Sequence, residues 1–216
     1  MSSTTLRITE IFYSLQGESL TVGLPTLFVR LTGCPLRCQY CDSEYAFHGG
    51  ERFSLEELLS KIESYKPQNI CVTGGEPLAQ VGCIELLDCL VTRKYSVSLE
   101  TSGAISVEKV PTAVTKVMDL KTPGSGEVGR NLWMNLARLT RNDQVKFVIC
   151  NREDYEWAKF KLDELELVDK VGAVLFSPSF GQVEPRDLAE WIIQDNLPVR
   201  FQMQLHKYLW GDVPGH

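Results

Sequence analysis

Short apolar segments alternate with amphipathic stretches along most of this 216-residue chain, and such an alternation leaves few folds open. The runs 26–31 (TLFVRL), 69–73 (NICVT), 96–100, 114–120, 144–149, 171–176 and 199–205 read as strands. Between the first two, residues 54–65 carry Leu55, Leu58, Leu59 and Ile62 at i, i+3, i+4 and i+7, behind a Ser54–Glu57 capping-box pattern and ahead of Pro67. Further helices are expected over 79–92 (Leu86, Leu87, Leu90, Val91), over 154–162, and from Pro185 through Leu188, Trp191 and Ile192. Strand–helix alternation implies right-handed βαβ crossovers and a parallel sheet. A complete eight-unit barrel takes ~250 residues. The expected fold is therefore α/β: a single-domain partial (β/α)6-type barrel spanning residues 1–216, shortened relative to a full TIM barrel.

Charge and composition exclude several classes of function. With 22 basic against 28 acidic side chains, the net charge of −6 argues against a broad phosphate-binding surface, so no direct nucleic-acid partner is expected. No apolar run approaches the ~20 residues of a membrane-spanning helix. The first residues, MSSTT, lack the basic and apolar character of an export signal. A cytoplasmic location and reduced thiols are the corresponding expectations. Of the seven cysteines, Cys71, Cys83, Cys89 and Cys150 are scattered through predicted strands and helices and read as packing residues.

The other three, Cys34, Cys38 and Cys41, lie within eight residues. Thiolates are soft donors that suit zinc or an iron–sulfur cluster. A closed zinc site wants four protein ligands. His48, seven residues past Cys41, is the nearest candidate for a Cys₃His site, and Cys71 would have to come from elsewhere in the fold. Three thiolates with no fourth also match a cubane with one iron left open, and ligand count favours that reading. Other unusual chemistry collects where strands end, as it does in such folds: Thr73-Gly74-Gly75-Glu76-Pro77, Glu100-Thr101-Ser102-Gly103 and Asp119-Leu120-Lys121-Thr122-Pro123-Gly124. Glycine at 74 and 75 would let the backbone bend and approach a ligand closely.

The spacing Cys34-x₃-Cys38-x₂-Cys41, with Tyr40 before the last cysteine and the GGEP segment following, resembles the radical S-adenosylmethionine enzymes. Ser14-Leu15-Gln16-Gly17-Glu18, Arg30, Asp42-Ser43, the ETSG and DLKTPGSG segments and Gln202-x-Gln204-Leu205-His206-Lys207 extend the likeness to the 7-carboxy-7-deazaguanine synthases over almost the whole chain. The resemblance implies a [4Fe–4S] cluster on Cys34, Cys38 and Cys41. S-adenosylmethionine would occupy the open iron and be split to a 5′-deoxyadenosyl radical. Contacts to that cofactor are implied for Tyr40, Cys41, Asp42, Gly75, Asp119, Leu120, Lys121 and Lys146. The implied substrate is 6-carboxy-5,6,7,8-tetrahydropterin, held by Leu15, Gln16, Gly17, Thr73 and His206. Arg30 would clamp its carboxylate, and Glu18 and Glu100 would accept from its ring N–H groups. These two acids are also the acid/base candidates.

The product implied is 7-carboxy-7-deazaguanine, formed with ring contraction and loss of ammonia on the route to queuosine. The likeness further implies Mg²⁺ on Ser43, where threonine is more usual, a homodimer, and a flavodoxin-type electron donor. It also implies an N-terminal substrate-binding segment and a C-terminal cap; such enzymes can use a C-terminal carboxylate to contact substrate, and the tail here differs, reading Asp212-Val213-Pro214-Gly215-His216. Two rivals remain at this stage. A glycyl-radical-activating protein shares the cysteine loop and the GGEP-like segment but does not need the 14–18 and Arg30 features. A zinc-stabilised binding module belongs to another class altogether.

Overall fold

Every long parallel strand of this chain divides its side chains between oil and charge. The strands are β2 (Pro25–Leu31), β4 (Asn69–Gly74), β5 (Ser96–Thr101), β6 (Thr115–Asp119), β7 (Gln144–Ile149) and β8 (Ala173–Pro178). Leu27, Val29, Leu31, Ile70, Val72, Leu99, Phe147 and Phe176 point to one side and form the hydrophobic core. Arg30, Thr73, Glu100, Asp119, Lys146 and Ser177 point to the other side and line a cavity. The pleat alone makes this separation.

In the computed structural model, which describes residues 4–211 together with Val213 and Gly215, these six strands lie within one open nine-stranded sheet. Two further strands, β1 (Thr5–Leu15) and β3 (Glu51–Ser54), and a two-residue β9 (Arg200–Phe201) give the order β3-β1-β2-β4-β5-β6-β7-β8-β9. Six of the seven expected strands are present as long parallel strands, in keeping with a partial barrel. The all-parallel expectation needs correction, because β1 runs antiparallel to both β2 and β3.

Helices α1 (Leu55–Ser64), α2 (Gly82–Thr92), α3 (Arg152–Glu164), a short α4 (Leu167–Lys170) and α5 (Pro185–Gln194) accompany the sheet, and Leu58, Ile62, Leu86, Leu90, Tyr155 and Leu188 bring their apolar faces into the core. The capping box forms as expected: Ser54 Oγ accepts the Glu57 N–H (3.2 Å) and Glu57 Oε2 accepts the Ser54 N–H (2.8 Å). Helix α2 starts later than the periodicity suggests. Gln80 stays extended, so that its amide can bond Arg7 N and O and Thr32 O.

The expected strand 199–205 is also corrected. Only Arg200 and Phe201 pair with β8, and the chain then leaves the sheet so that Gln202 and Gln204 can bond the segment after β1. It re-forms as helix α6 (Leu205–Trp210). Among the described residues, no helix is long and apolar enough to cross a membrane. Removing the cap with Ser54→Ala should cost about 1 kcal/mol, measured by denaturant unfolding of the anaerobically handled protein.

Candidate active site

The loop after β2 carries the three cysteines, and its conformation is fixed from both ends. Leu36 is buried, the Gly33 N–H donates to Ala46 O (2.7 Å), and the Gln39 N–H donates to Ser125 O (3.0 Å). The Arg37 guanidinium donates to the carbonyls of Cys34 (2.9 Å) and Leu36 (2.6 Å). Cys34, Cys38 and Cys41 all reach a cavity of about 640 Å³ on the polar face of the sheet. Burial raises all three thiol pKa values, that of Cys38 to about 11, and the Lys121 ammonium pulls against the shift.

The GGEP segment is the second wall of the cavity. A Cβ on Gly75 would lie 2.5 Å from Gly33 O and 2.6 Å from Cys34 Cβ, and one on Gly74 would strike the Leu31 carbonyl. Gly75 is therefore required by the cysteine loop and Gly74 by the end of β2 packed against it, a reason nearer at hand than approach to a ligand. Glu76 is wholly buried. It accepts from the hydroxyl of Thr101 (2.9 Å), from the backbone N–H (2.7 Å) and hydroxyl (2.5 Å) of Ser102, and from the Leu78 N–H (3.0 Å). One carboxylate thus binds the GGEP and ETSG segments together. Asp154 does the same for DLKTPGSG, accepting from Thr122 Oγ1, Gly124 N and Cys150 N. Sequence reasoning assigned neither acid, although Glu76 lies inside a motif it had singled out.

Across the cavity floor runs a file of charges. Lys146 Nζ lies 2.8 Å from Glu18 and 3.8 Å from Asp119, and Lys121 Nζ lies 3.1 Å from Asp119. Burial would lower the pKa of Lys146, but Glu18, Asp119 and Glu100 outweigh it and the value rises. Burial would raise that of Glu18, but Lys146 and the Gln204 amide outweigh it and the value falls. Glu100 goes the other way. Burial, joined by repulsion from Glu18, raises its pKa against the pull of Lys146 and Arg30.

The segments that follow β1 and β9 meet at the cavity. Residues 16–21 cross from β1, with the Leu20 N–H donating to Gln144 (2.9 Å) and the Ser19 N–H to Gln202 (2.6 Å). Leu205 N donates to Gly17 O (2.9 Å), and a Cβ on Gly17 would collide with the His206 ring. Gln204 donates to both Glu18 and Asp42 (3.0 Å each), and Lys207 to Asp42 (3.0 Å). The Ser43 hydroxyl donates to Asp42 as well (3.0 Å). Of the residues singled out by sequence, Leu15, Gln16, Gly17, Glu18, Arg30, Tyr40, Asp42, Ser43, Thr73, Gly75, Glu100, Asp119, Lys121, Lys146 and His206 all line the cavity with the three cysteines. Leu120 is the exception. Its side chain is in the apolar core, so any contact it makes with a ligand comes from its backbone. His216 lies outside the described residues.

The donor set can be tested against the groups it would hold. Among the described residues, no cluster of three or more His, Cys, Asp or Glu side chains is gathered tightly enough for a single metal ion. His48 and Cys71 do not line the cavity. A zinc site is thereby disfavoured, while three thiols around one cavity fit a larger cluster that leaves a position open. Beside them, Tyr40 Oη and Asp119 Oδ1 are buried with no hydrogen-bond partner among the described residues. Buried polar atoms of that kind suit a polar ligand.

An open parallel sheet with three cysteines after its first parallel strand and a GGEP clamp after the next defines a radical S-adenosylmethionine core, and residues 28–115 match the model of the Radical SAM superfamily. Curated relatives named 7-carboxy-7-deazaguanine synthase from Koribacter versatilis and Chlorobaculum tepidum are each 43% identical; each alignment covers 95% of this chain, with 97% and 94% of the relatives covered respectively. The crystal structure of QueE from Escherichia coli superimposes with a TM-score of 0.74 at 26% identity, covering 94% of this chain and 95% of that one. The chain belongs to the 7-carboxy-7-deazaguanine synthase family of radical S-adenosylmethionine enzymes. Its cofactors accordingly include a [4Fe–4S] cluster and S-adenosylmethionine.

Two predictions follow from the packing and the charges. Gly75→Ala should overpack the loop junction at a cost of about 1–3 kcal/mol, and should lower the iron bound per chain after anaerobic reconstitution. Glu100→Gln tests the buried acid. A carboxyl whose folded pKa is raised contributes stability below its unfolded pKa and loses that contribution as pH rises through the folded value. Glu100→Gln should therefore raise the unfolding midpoint at pH 8, with the gain shrinking towards pH 4, while lowering turnover at both.

Proposed function

We propose that the chain converts 6-carboxy-5,6,7,8-tetrahydropterin to 7-carboxy-7-deazaguanine, with ring contraction and loss of ammonia. The observation that carries this reading is one cavity in which three thiols stand beside an arginine and two carboxylates of opposite pKa tendency. Support comes also from relatives of that name, matched along 95% of the chain.

Cys34, Cys38 and Cys41 would hold the cluster. When bound, the cluster and S-adenosylmethionine supply a carbon-centred radical able to abstract hydrogen. Asp119 and Lys121 act electrostatically on Cys38, Lys121 Nζ lies 5.4 Å from the Tyr40 ring centroid, and these three residues serve the cofactor with Gly75, Asp42 and the Leu120 backbone. Lys146 is already engaged by Glu18 and Asp119, so it sits between cofactor and substrate rather than on the cofactor alone.

Leu15, Gln16, Gly17, Thr73 and His206 form the pterin side. Arg30 takes the carboxylate through its planar fork. Glu18, kept ionised by Lys146, accepts from ring N–H groups. Glu100, which holds a proton to higher pH, exchanges hydrogen bonds with the ring and is the better proton donor of the two. Ser43 offers Mg²⁺ a hard oxygen beside the Asp42 carboxylate, and the ion would orient the substrate carboxylate and offset its charge. Residues 1–216 act as one catalytic domain with an N-terminal substrate segment and a C-terminal cap. The enzyme works as a cytoplasmic homodimer reduced by a flavodoxin-type donor, without nucleic acid or membrane.

The test is anaerobic turnover. Protein reconstituted with about four irons and four sulfides per chain, the content of one cubane, should form 7-carboxy-7-deazaguanine from the carboxylated pterin, S-adenosylmethionine and a reductant. Cys38→Ala should reduce product to background. Full turnover by Cys38→Ala, or no deazaguanine from the cluster-bearing protein, would overturn the assignment.

A further inference from the structure

Strand β1 breaks its own alternation once. Ile8 faces Leu31 across the antiparallel ladder, yet Glu10 faces Arg30, so Thr9 is an extra residue with no place in the register. The bulge changes which face each later side chain occupies. Leu6 and Ile8 before it and Ile11 after it all pack on the apolar core. Glu10 and Phe12, which regular alternation would place on the core side with Ile8, come instead to the polar side. There Phe12 stacks on Phe28 at 4.8 Å. The bulge itself is tied down by the Thr9 and Thr32 hydroxyls (2.7 Å) and by the Thr32 N–H donating to Arg7 O (3.0 Å).

The consequence falls on Arg30. Its Nε–H donates to Glu10 Oε1 at 2.7 Å, and the Tyr45 hydroxyl donates to the same oxygen at 2.8 Å. The guanidinium carbon lies 6.0 Å from the Phe12 ring centroid and 5.8 Å from that of Tyr45. One N–H is thus consumed and the rotation of the fork is restricted by two rings. Among the described residues, the two terminal nitrogens have no acceptor. A guanidinium engaged at Nε retains its end-on pair of N–H groups, the geometry that binds a carboxylate with two parallel hydrogen bonds.

We propose that Glu10, carried opposite Arg30 by the bulge at Thr9 and shared with Tyr45, is a positioning residue that sets the selectivity of this site for a carboxylated ring. This rests on the reading of Arg30 as the carboxylate clamp. Tyr45 lies in the turn Glu44–Ala46, directly after the cysteine loop and Ser43, so the clamp and the loop that would carry the cluster are braced against one another. A group whose only role was to neutralise Arg30 would leave the preference for a carboxylated ligand intact. A group that orients the fork would not.

The experiment measures, on cluster-bearing enzyme with S-adenosylmethionine, the ratio of dissociation constants for tetrahydropterin without and with the 6-carboxylate. Glu10→Ala should reduce that ratio about tenfold, the scale of one charge-assisted hydrogen bond lost. Arg30→Ala should reduce it at least as far, and the double variant should add little, because the two residues act as a unit. KM for the carboxylated substrate should rise more than kcat falls, while the affinity for S-adenosylmethionine stays unchanged. Glu10→Leu, of similar size and without an acceptor, replaces Glu10→Ala if the latter does not take up iron, and Tyr45→Phe should move the ratio in the same direction by less. A ratio that falls in Arg30→Ala but not in the Glu10 variants would overturn the proposal and leave the clamp standing. A ratio unchanged in Arg30→Ala would remove the clamp and the proposal together.

Discussion

Lys146 sits on the inner wall of the sheet between Glu18 and Asp119, and the arrangement of the cavity follows from the need to keep that charge partnered. Removing one partner from a buried ion pair costs about 3–5 kcal/mol. Glu18 therefore cannot leave Lys146 cheaply. Because Gln202 and Gln204 donate to the same carboxylate, the segment after β9 is held by it too. Gln204 passes the connection to Asp42 beside the third cysteine. From Asp119 through Lys146, Glu18, Gln204 and Asp42 to Lys207 on α6, each side chain is paired with the next, and a displacement at one end exposes an unpaired group at another. Satisfied networks of this kind rigidify a site.

The strand-end loops are held by a different device with the same logic. Glu76 and Asp154 are each fully buried acids that accept several hydrogen bonds from neighbouring loops. A loop has no ladder to satisfy its N–H groups, so a buried carboxylate supplies the acceptors that a strand partner would otherwise provide. The end of β4 is thereby locked to that of β5, and the end of β6 to that of β7.

What the sequence showed, and what it hid, follows from the range of the interactions. The Ser54–Glu57 cap spans three residues and is complete within its own segment, so it can be read directly. The six long strands were legible because each has an uninterrupted run of suitable residues. Strand β1 was not, although LRITEIFYSL is rich in strand formers, because the bulge at Thr9 breaks the two-residue period that would have announced it. The run 199–205 alternates well and yet is mostly not strand. Its Phe201 and Met203 are exposed, with no layer to cover them, while tertiary bonds to Ser19 and Glu18 claim its glutamines. The inward direction of the Leu120 side chain was legible too. Asp119 and Lys121 flank it on the opposite face, and strand parity alone directs Leu120 into the core.

A parallel sheet normally buries both faces, and this one has its hydrophobic helices on one side only. The other face is lined by groups such as Arg30, Glu100, Asp119 and Lys146 that no helix could cover without leaving charges unpaired. Closing it requires polar backbone and amide side chains, which is what residues 16–21 after β1 and 202–207 after β9 bring. Neither segment has much apolar surface with which to fold by itself. Each is held by hydrogen bonds to the other and to the charged wall, so the substrate side of the cavity is completed only when both are docked. A group bound between them would add contacts to two segments at once. The same polarity that leaves the sheet's inner face without a core is what makes it able to select and orient a charged heterocycle.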